Sequence, residues 1–242
     1  MAGQYIDLML QRALAHLPSQ CELCRRWGRE RLCTDCLTRF AAPMPRCGSC
    51  GLPLAQQAPT CGDCLREPPP FDRAVCAVDY VFPWDHLVRE FKFHGQVELA
   101  GPLAQRLAAA VQARGDSGVQ WVLPVPMSNQ RLRERGYDQA WELARRVAAA
   151  QRLPARADAL VRTLDTVHQT ELGRAARQRN LRAAFFVPGP QRAELQHTRV
   201  ALVDDVMTTG ATLREAAAAL RRAGVAAVEV WVLARTPAPG DA

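Results

Sequence analysis

Eight cysteines arranged as four Cys-x2-Cys pairs within residues 21–64 constrain this chain more than any other feature. Cys21 and Cys24 are followed after eight residues by Cys33 and Cys36, and Cys47 and Cys50 after ten by Cys61 and Cys64. A Cys-x2-Cys turn aims two thiolates at one point, and two such turns supply the four soft ligands of a tetrahedral zinc site. Gly48, Gly51 and Gly62 suit the tight backbone of such knuckles. The pattern predicts two structural zinc ions, or one if a set has degenerated, each closed by four protein ligands with no position open for catalysis. Iron held in rubredoxin fashion is the alternative. Spacing leaves open which pairs share an ion, consecutive pairing being the simpler choice. The ninth cysteine, Cys76, lies in an apolar run and reads as a small buried side chain.

The rest of the chain sets the context for these thiols. At 242 residues, 48% hydrophobic and 23% charged, there is room for one sizeable domain and a small second one. Its apolar runs are far shorter than the roughly 18 residues of a spanning helix, so no membrane insertion is expected. Asp7, Gln11 and Arg12 interrupt the apolar stretches of the first twenty residues, leaving no signal-peptide core. Cysteine pairs without an export signal indicate bound metal in a reducing, cytoplasmic setting and argue against a disulfide framework. The chain holds no GxxxxGK[ST], no GxG among its fifteen glycines and no HExxH, so P-loop, dinucleotide-fingerprint and zincin chemistry lack their motifs.

Punctuation in the sequence sets the expected domains. An amphipathic helix over 4–17 fills a segment 1–18, closed by Pro18, and a double zinc ribbon occupies 19–66. Pro68-Pro69-Pro70 stiffens a linker at 67–72, a main domain runs over 73–236, and 237–242 is a tail. Within the main domain, strands are expected at Ala74–Tyr80, Trp121–Val125, Ala159–Thr163, Ala184–Val187, Val200–Val203 and Val225–Leu233. Helices are expected from about 84, and over about 98–113, 137–150 and 210–223. Such alternation predicts an α/β fold, a mostly parallel sheet flanked by helices, with the cysteine-rich module at its N-terminal side.

The sharpest chemical feature is Val200-Ala201-Leu202-Val203-Asp204-Asp205-Val206-Met207-Thr208-Thr209-Gly210-Ala211-Thr212. An apolar strand ends in two carboxylates, followed by a loop of small hydroxyl residues and one glycine, then a helix start. Backbone N–H groups of such a loop, with the helix dipole behind them, make a phosphate cradle. Thr208, Thr209 and Thr212 add hydroxyls, and Gly210 lets the backbone approach an anion closely. Adjacent carboxylates beside a phosphate suit ribose hydroxyls or a magnesium ion. The plain alternative, an N-cap at Thr208 or Thr209, accounts for one threonine but not for the acidic pair with the whole loop.

Charge points the same way. Net charge is +7, and residues 131–182 hold twelve arginines against six acids, a block that favours a polyanionic partner or else forms a solvated helical face. Arg25, Arg26, Arg29, Arg31, Arg39, Arg46 and Arg66 stud the ribbons together with Trp27 and Phe40. That mixture can stack bases and follow phosphates, or the two aromatics can form the ribbons' small core. Lys92 is the only lysine beside thirty arginines, which hints at a place needing a compact ammonium.

VALVDDVMTTGAT resembles the phosphoribosyl pyrophosphate (PRPP) motif of type I phosphoribosyltransferases. With PPPFDRA at 68–74, FKFHG at 91–95, VLPVP at 122–126, RLRERGYDQA at 131–140 and RAARQRNLRAAF at 174–185, the chain resembles the ComF/GntX family from about Cys21 to Thr236. That resemblance implies a type I phosphoribosyltransferase fold binding PRPP with magnesium. Asp204 and Asp205 would hold the ribose hydroxyls, and Met207, Thr208, Thr209, Gly210, Ala211 and Thr212 the 5′-phosphate. Lys92, Arg131, Arg133 and Arg135 would serve the pyrophosphate, and Gln169, Arg174, Arg177 and Arg179 a closing lid. The chain departs from the family's LHPxRxRxRGFNQ at Met127-Ser128-Asn129-Gln130 and Gly136-Tyr137-Asp138-Gln139, and from its TPxQ at Thr166-Val167-His168-Gln169. The expected function is a PRPP-binding transferase acting in natural competence, DNA uptake or processing, with an unassigned acceptor. A non-catalytic scaffold or sensor gripping single-stranded DNA beside competence-machinery proteins, and a nucleotide-salvage transferase, are the alternatives.

Overall fold

The computed structural model describes residues 18–54, 58–116, 118–162 and 184–238. The expected helix over 4–17 and the expected lid residues Gln169, Arg174, Arg177 and Arg179 lie outside them. The chain forms two compact units that part between Pro43 and Met44, inside the cysteine-rich region.

In the first unit, β1 (Ser19–Gln20) and β2 (Trp27–Gly28) pair antiparallel across the turn that carries Cys21 and Cys24. Cys33 is the N-cap of α1 (Thr34–Phe40), which buries Cys36. Among its described residues this unit buries, besides cysteines, Leu32 and Ala41, so within residues 18–43 the thiols supply much of what holds the fold together.

The second unit is built on a sheet of β3 (Arg73–Asp79), β4 (Trp121–Pro124), β7 (Arg199–Met207) and β8 (Ala227–Arg235), in the order β3-β8-β7-β4 and parallel throughout. All nine residues of β8 are buried, the continuous apolar run that a parallel sheet covered on both faces requires. On one face, α8 (Ala211–Arg222) sets Leu213, Ala216, Ala217 and Leu220 against Val200, Leu202, Val230 and Val232. Strand alternation turns Ala201 and Val203 the other way, where α4 (Ala100–Arg114) and α6 (Gln139–Gln151) pack on the sheet and on each other. The expected α/β architecture of a mostly parallel sheet with helices on its faces is present. A separate antiparallel pair, β5 (Val161–Arg162) and β6 (Phe185–Phe186), lies beside α8.

The remaining elements are short. Helix α2 (Gly62–Arg66) follows Cys61, α3 (Trp84–Phe93) follows β3, and α7 (Gly189–Leu195) precedes β7. One expectation is revised, and one helix was not anticipated. The acidic pair does not end β7, because Met207 still pairs with Arg235 of β8, and the ladder outweighs the poor strand propensity of aspartate. The Arg-rich stretch before α6 is a helix of its own, α5 (Asn129–Arg135), started by Ser128 and stopped by Gly136 in the left-handed region at φ +79°.

Candidate functional site

Asp204 and Asp205 sit at the carboxyl end of β7, where open parallel sheets bind ligands. As strand neighbours they face opposite sides of the sheet. Asp205 is buried, and its Oδ1 lies 2.9 Å from the Lys92 ammonium near the end of α3. The Asp204 Oδ1 accepts a hydrogen bond of 2.8 Å from the Asp205 N–H. Burial, then the Asp205 charge beside it, pushes the Asp204 carboxyl well above the usual carboxylate range, against the pull of Lys92. Asp138, the N-cap of α6, accepts from Trp141 N–H at 2.9 Å. Burial raises its carboxyl despite main-chain donors, with the Asp205 charge adding to the rise. One ammonium among crowded carboxylates leaves negative charge uncompensated, and the donors are all oxygen, a set that fits a magnesium ion or ribose hydroxyls.

Tyr137 and Gln139 hold this arrangement from behind. The Tyr137 hydroxyl donates to the Phe91 carbonyl, and the Gln139 amide donates to the Lys92 carbonyl at 3.5 Å. Both residues thus grip the last turn of α3, from which Lys92 reaches Asp205. Sequence reasoning had no role for either, because the contact spans more than forty residues.

Beyond Asp205 the chain turns through Met207, Thr208, Thr209 and Gly210 into α8 at Ala211 and Thr212. Met207 is buried, Thr208 and Thr209 are exposed, and Gly210 is the N-cap at φ +77°. No side chain caps α8, although Thr209 Oγ1 accepts weakly from Ala211 N–H at 3.4 Å. Exposed threonines beside the uncapped end of a twelve-residue helix leave main-chain donors and helix dipole available to an anion. Behind the loop lies Arg235, the last residue of β8 and buried. Its Nη1 donates to the carbonyls of Met207 at 3.0 Å, Thr236 at 2.8 Å and Thr208, and its Nε to that of Cys50 at 3.1 Å. Arg235 was also missed in sequence, where the strand was expected to end at Leu233.

Arg131, Arg133 and Arg135 all lie on α5. At about 100° per residue, Arg131 and Arg135 share a face and Arg133 lies far round the helix. Arg133 Nε donates to the Asn129 carbonyl at 3.2 Å. Arg135 donates to Gln139 Oε1 at 3.0 Å and stacks over Phe93 at 4.8 Å.

The cysteines fall into two sets by consecutive pairing, Cys21/Cys24/Cys33/Cys36 and Cys47/Cys50/Cys61/Cys64, each with its sulfurs within 4.8 Å of one another. Tetrahedral thiolates at a zinc–sulfur distance of ~2.3 Å stand ~3.8 Å apart. Cys24 and Cys33 approach to 3.7 Å, as do Cys50 and Cys61. Cys61 N–H donates to Cys47 Sγ at 3.2 Å, and Cys33 N–H to Cys21 Sγ at 3.4 Å. Burial pushes the Cys47 thiol up, but the N–H groups of Cys61, Cys50 and Ser49 outweigh it and bring the thiol down to about 7. Both sets therefore fit a tetrahedral metal bound through thiolates. Cys76, as expected, is buried in β3.

The ribbon aromatics separate. Trp27 is 66% exposed and no core residue. Phe40 is partly buried beneath the Arg39 guanidinium at 5.0 Å. Arg26 pairs with Asp35, Arg31 with Glu22, Arg66 with Asp63 and Arg46 with Asp79.

Comparison with known proteins agrees with this anatomy. The family model for a phosphoribosyl transferase domain matches residues 97–241, and that for a double zinc ribbon domain matches 14–65. DNA utilization protein YhgH of Escherichia coli strain K12 is 35% identical over 91% of this chain and 98% of its own length. Competence protein F of Haemophilus influenzae is 35% identical over 86% of this chain and 92% of its own. Among solved structures, the glutamine phosphoribosylpyrophosphate amidotransferase of B. subtilis aligns with 60% of this chain and 30% of its own at 20% identity and a TM-score of 0.42.

Proposed function

From a chain that belongs to the ComF/GntX family, zinc-ribbon proteins with a phosphoribosyltransferase domain, we propose a PRPP-binding protein that serves DNA uptake or processing. The observation that carries this reading is the run of Asp204 and Asp205 at the end of β7 into an uncapped, threonine-bearing loop closed by Gly210. A ribose 5-phosphate spans such a pair of subsites, its hydroxyls on the carboxylates and its phosphate on the loop N–H groups and the Thr208, Thr209 and Thr212 hydroxyls. Arg131 and Arg135 share one face of α5 and are the cations for the pyrophosphate, with Arg174, Arg177 and Arg179 as further candidates. Magnesium, carried in with the pyrophosphate, would add positive charge beside Asp204, since Lys92 is already paired with Asp205. In a transfer reaction, charge builds on the departing pyrophosphate, and fixed guanidinium groups stabilise it better than water does. Zinc in the two cysteine sets is structural in this reading. The names of the relatives support the DNA context.

Calorimetric titration of PRPP with magnesium into the zinc-loaded chain tests the pocket. Micromolar binding that disappears in Asp204→Ala/Asp205→Ala is the expected result. A folded, zinc-replete wild type that takes up no PRPP would remove the reading.

A second activity, contact with single-stranded DNA, is favoured by Trp27, an aromatic surface that is largely exposed beside Arg25, Arg26 and Arg29 in the sequence. Trp27→Ala should weaken oligonucleotide binding several-fold, and the affinity should fall steeply with salt. An affinity unmoved by both changes would exclude the ribbon as the contact.

A further inference from the structure

We propose that Arg235 is a positioning residue that couples the second cysteine set to the phosphate loop, so that zinc held by Cys47, Cys50, Cys61 and Cys64 pre-orders Met207–Gly210 for an anion. The inference rests on the reading of that loop as a phosphate site.

Three observations support it. First, the Arg235 guanidinium is buried and its hydrogen bonds run to main-chain carbonyls: Cys50 on one side, Met207, Thr208 and Thr236 on the other. In a trans peptide the C=O and the following N–H point in opposite directions. With the carbonyls of Met207 and Thr208 drawn onto Arg235, the N–H groups of Thr208 and Thr209 are turned away from it, the direction from which an anion would approach. Arg235, with the Thr236 N–H that also donates to the Met207 carbonyl at 3.0 Å, thus fixes which way the loop's donors face, and its charge lies behind them.

Second, the Cys50 carbonyl cannot drift independently of its knuckle. Gly51 N–H donates to the Cys47 carbonyl at 2.8 Å. The Gly51 carbonyl accepts from Arg46 at 3.2 Å, and Arg46 is held by Asp79 at 2.7 Å. Gly51 has φ +69°, and a Cβ there would lie 2.1 Å from Cys76 Sγ of β3. The Gly48 carbonyl accepts from Ala74 N–H, also on β3, at 2.9 Å. The knuckle is seated on the sheet with no slack.

Third, four sulfurs within 4.8 Å of one another repel as thiolates unless a cation sits among them. Loss of that cation opens the knuckle, carries the Cys50 carbonyl away and removes the Nε anchor of Arg235. Linkage requires the converse: whatever orders the loop must tighten zinc in the second set by the same factor.

Zinc release to a colorimetric chelator, with and without ribose 5-phosphate, and calorimetry of ribose 5-phosphate on the zinc-loaded chain test this in wild type, Arg235→Met and Arg235→Lys. Loss of a charged hydrogen-bond cluster predicts ribose 5-phosphate affinity at least about tenfold lower in Arg235→Met. Arg235→Lys should not restore it, since one ammonium cannot span carbonyls on two sides. In wild type the ligand should slow release of one of two zinc ions, and Arg235→Met should abolish that effect. An Arg235→Met chain that melts like wild type, holds both ions and binds the ligand equally well would overturn the coupling. So would a wild type that binds the ligand with zinc release unchanged, an arm that decides the matter if the variant does not fold. Should wild type bind no ribose 5-phosphate, the PRPP reading fails by itself. The coupling is then judged on amide resonances of Thr208, Thr209 and Thr236, which should move as zinc leaves the second set; resonances that stay in place would refute it.

Discussion

Lys92 and Asp205 show how one long-range pair can organise a site. Their side chains are 19% and 9% exposed, so neither charge is well hydrated, and each depends on the other. Lys92→Met should destabilise the fold by about 3–5 kcal/mol, because it leaves a buried carboxylate without its cation. Adding Asp205→Asn should recover most of that loss, a result read from urea unfolding of the single and double variants. Asp204 carries the opposite liability. Its carboxyl is held above the usual range, so over a window starting near pH 4 the folded chain keeps a proton that the unfolded chain has released. Stability from this group is present at low pH and falls as pH rises through the window. Asp204→Asn removes the titration, and its melting temperature should gain on wild type as pH climbs toward neutrality; parallel curves would contradict the account. The acidic pair was legible from residue types alone, but its unequal protonation was not, since that depends on Lys92 and on how tightly each carboxyl is enclosed.

Among the elements, β7 and the second knuckle tolerate change least. Leu202 is fully buried between β8 and α8, and Leu202→Ala should cost about 2–5 kcal/mol, measurable as a lower urea midpoint at constant slope. At Gly51 a methyl group would collide with Cys76 Sγ at 2.1 Å on a backbone that already disfavours it. Gly51→Ala should therefore lower zinc occupancy of the second set, and Gly51→Ala/Cys76→Gly should restore part of it by clearing the sulfur. Equal occupancy in the single and double variants would show that strain in φ, and not the contact, dominates. Periodicity and punctuation located these elements, including the turn at Gly210. They misplaced the end of β7 and overlooked α5, because strand length is decided by a partner's hydrogen bonds and a seven-residue helix by its cap at Ser128.

At the scale of the molecule, the cysteine module is divided between two compact units. Each unit closes its own set of four thiols, so the chain should carry two zinc ions, and Cys24→Ser/Cys33→Ser should reduce the content to one by elemental analysis while the sheet still melts cooperatively. Close spacing in the sequence was enough to specify two groups of paired thiols, a parallel α/β sheet, and an acidic pair running into a threonine-bearing loop and a helix start. Those signals are local, since a knuckle, a strand and a helix start are each specified within a few residues by turn chemistry and period. Which thiols share a centre, that Lys92 neutralises Asp205, that Tyr137 and Gln139 hold Lys92 in place, and that Arg235 joins the second knuckle to the loop all emerge from the folded arrangement. Each of these contacts brings together groups far apart along the chain, and their pairing depends on sheet order and burial, which spacing does not encode.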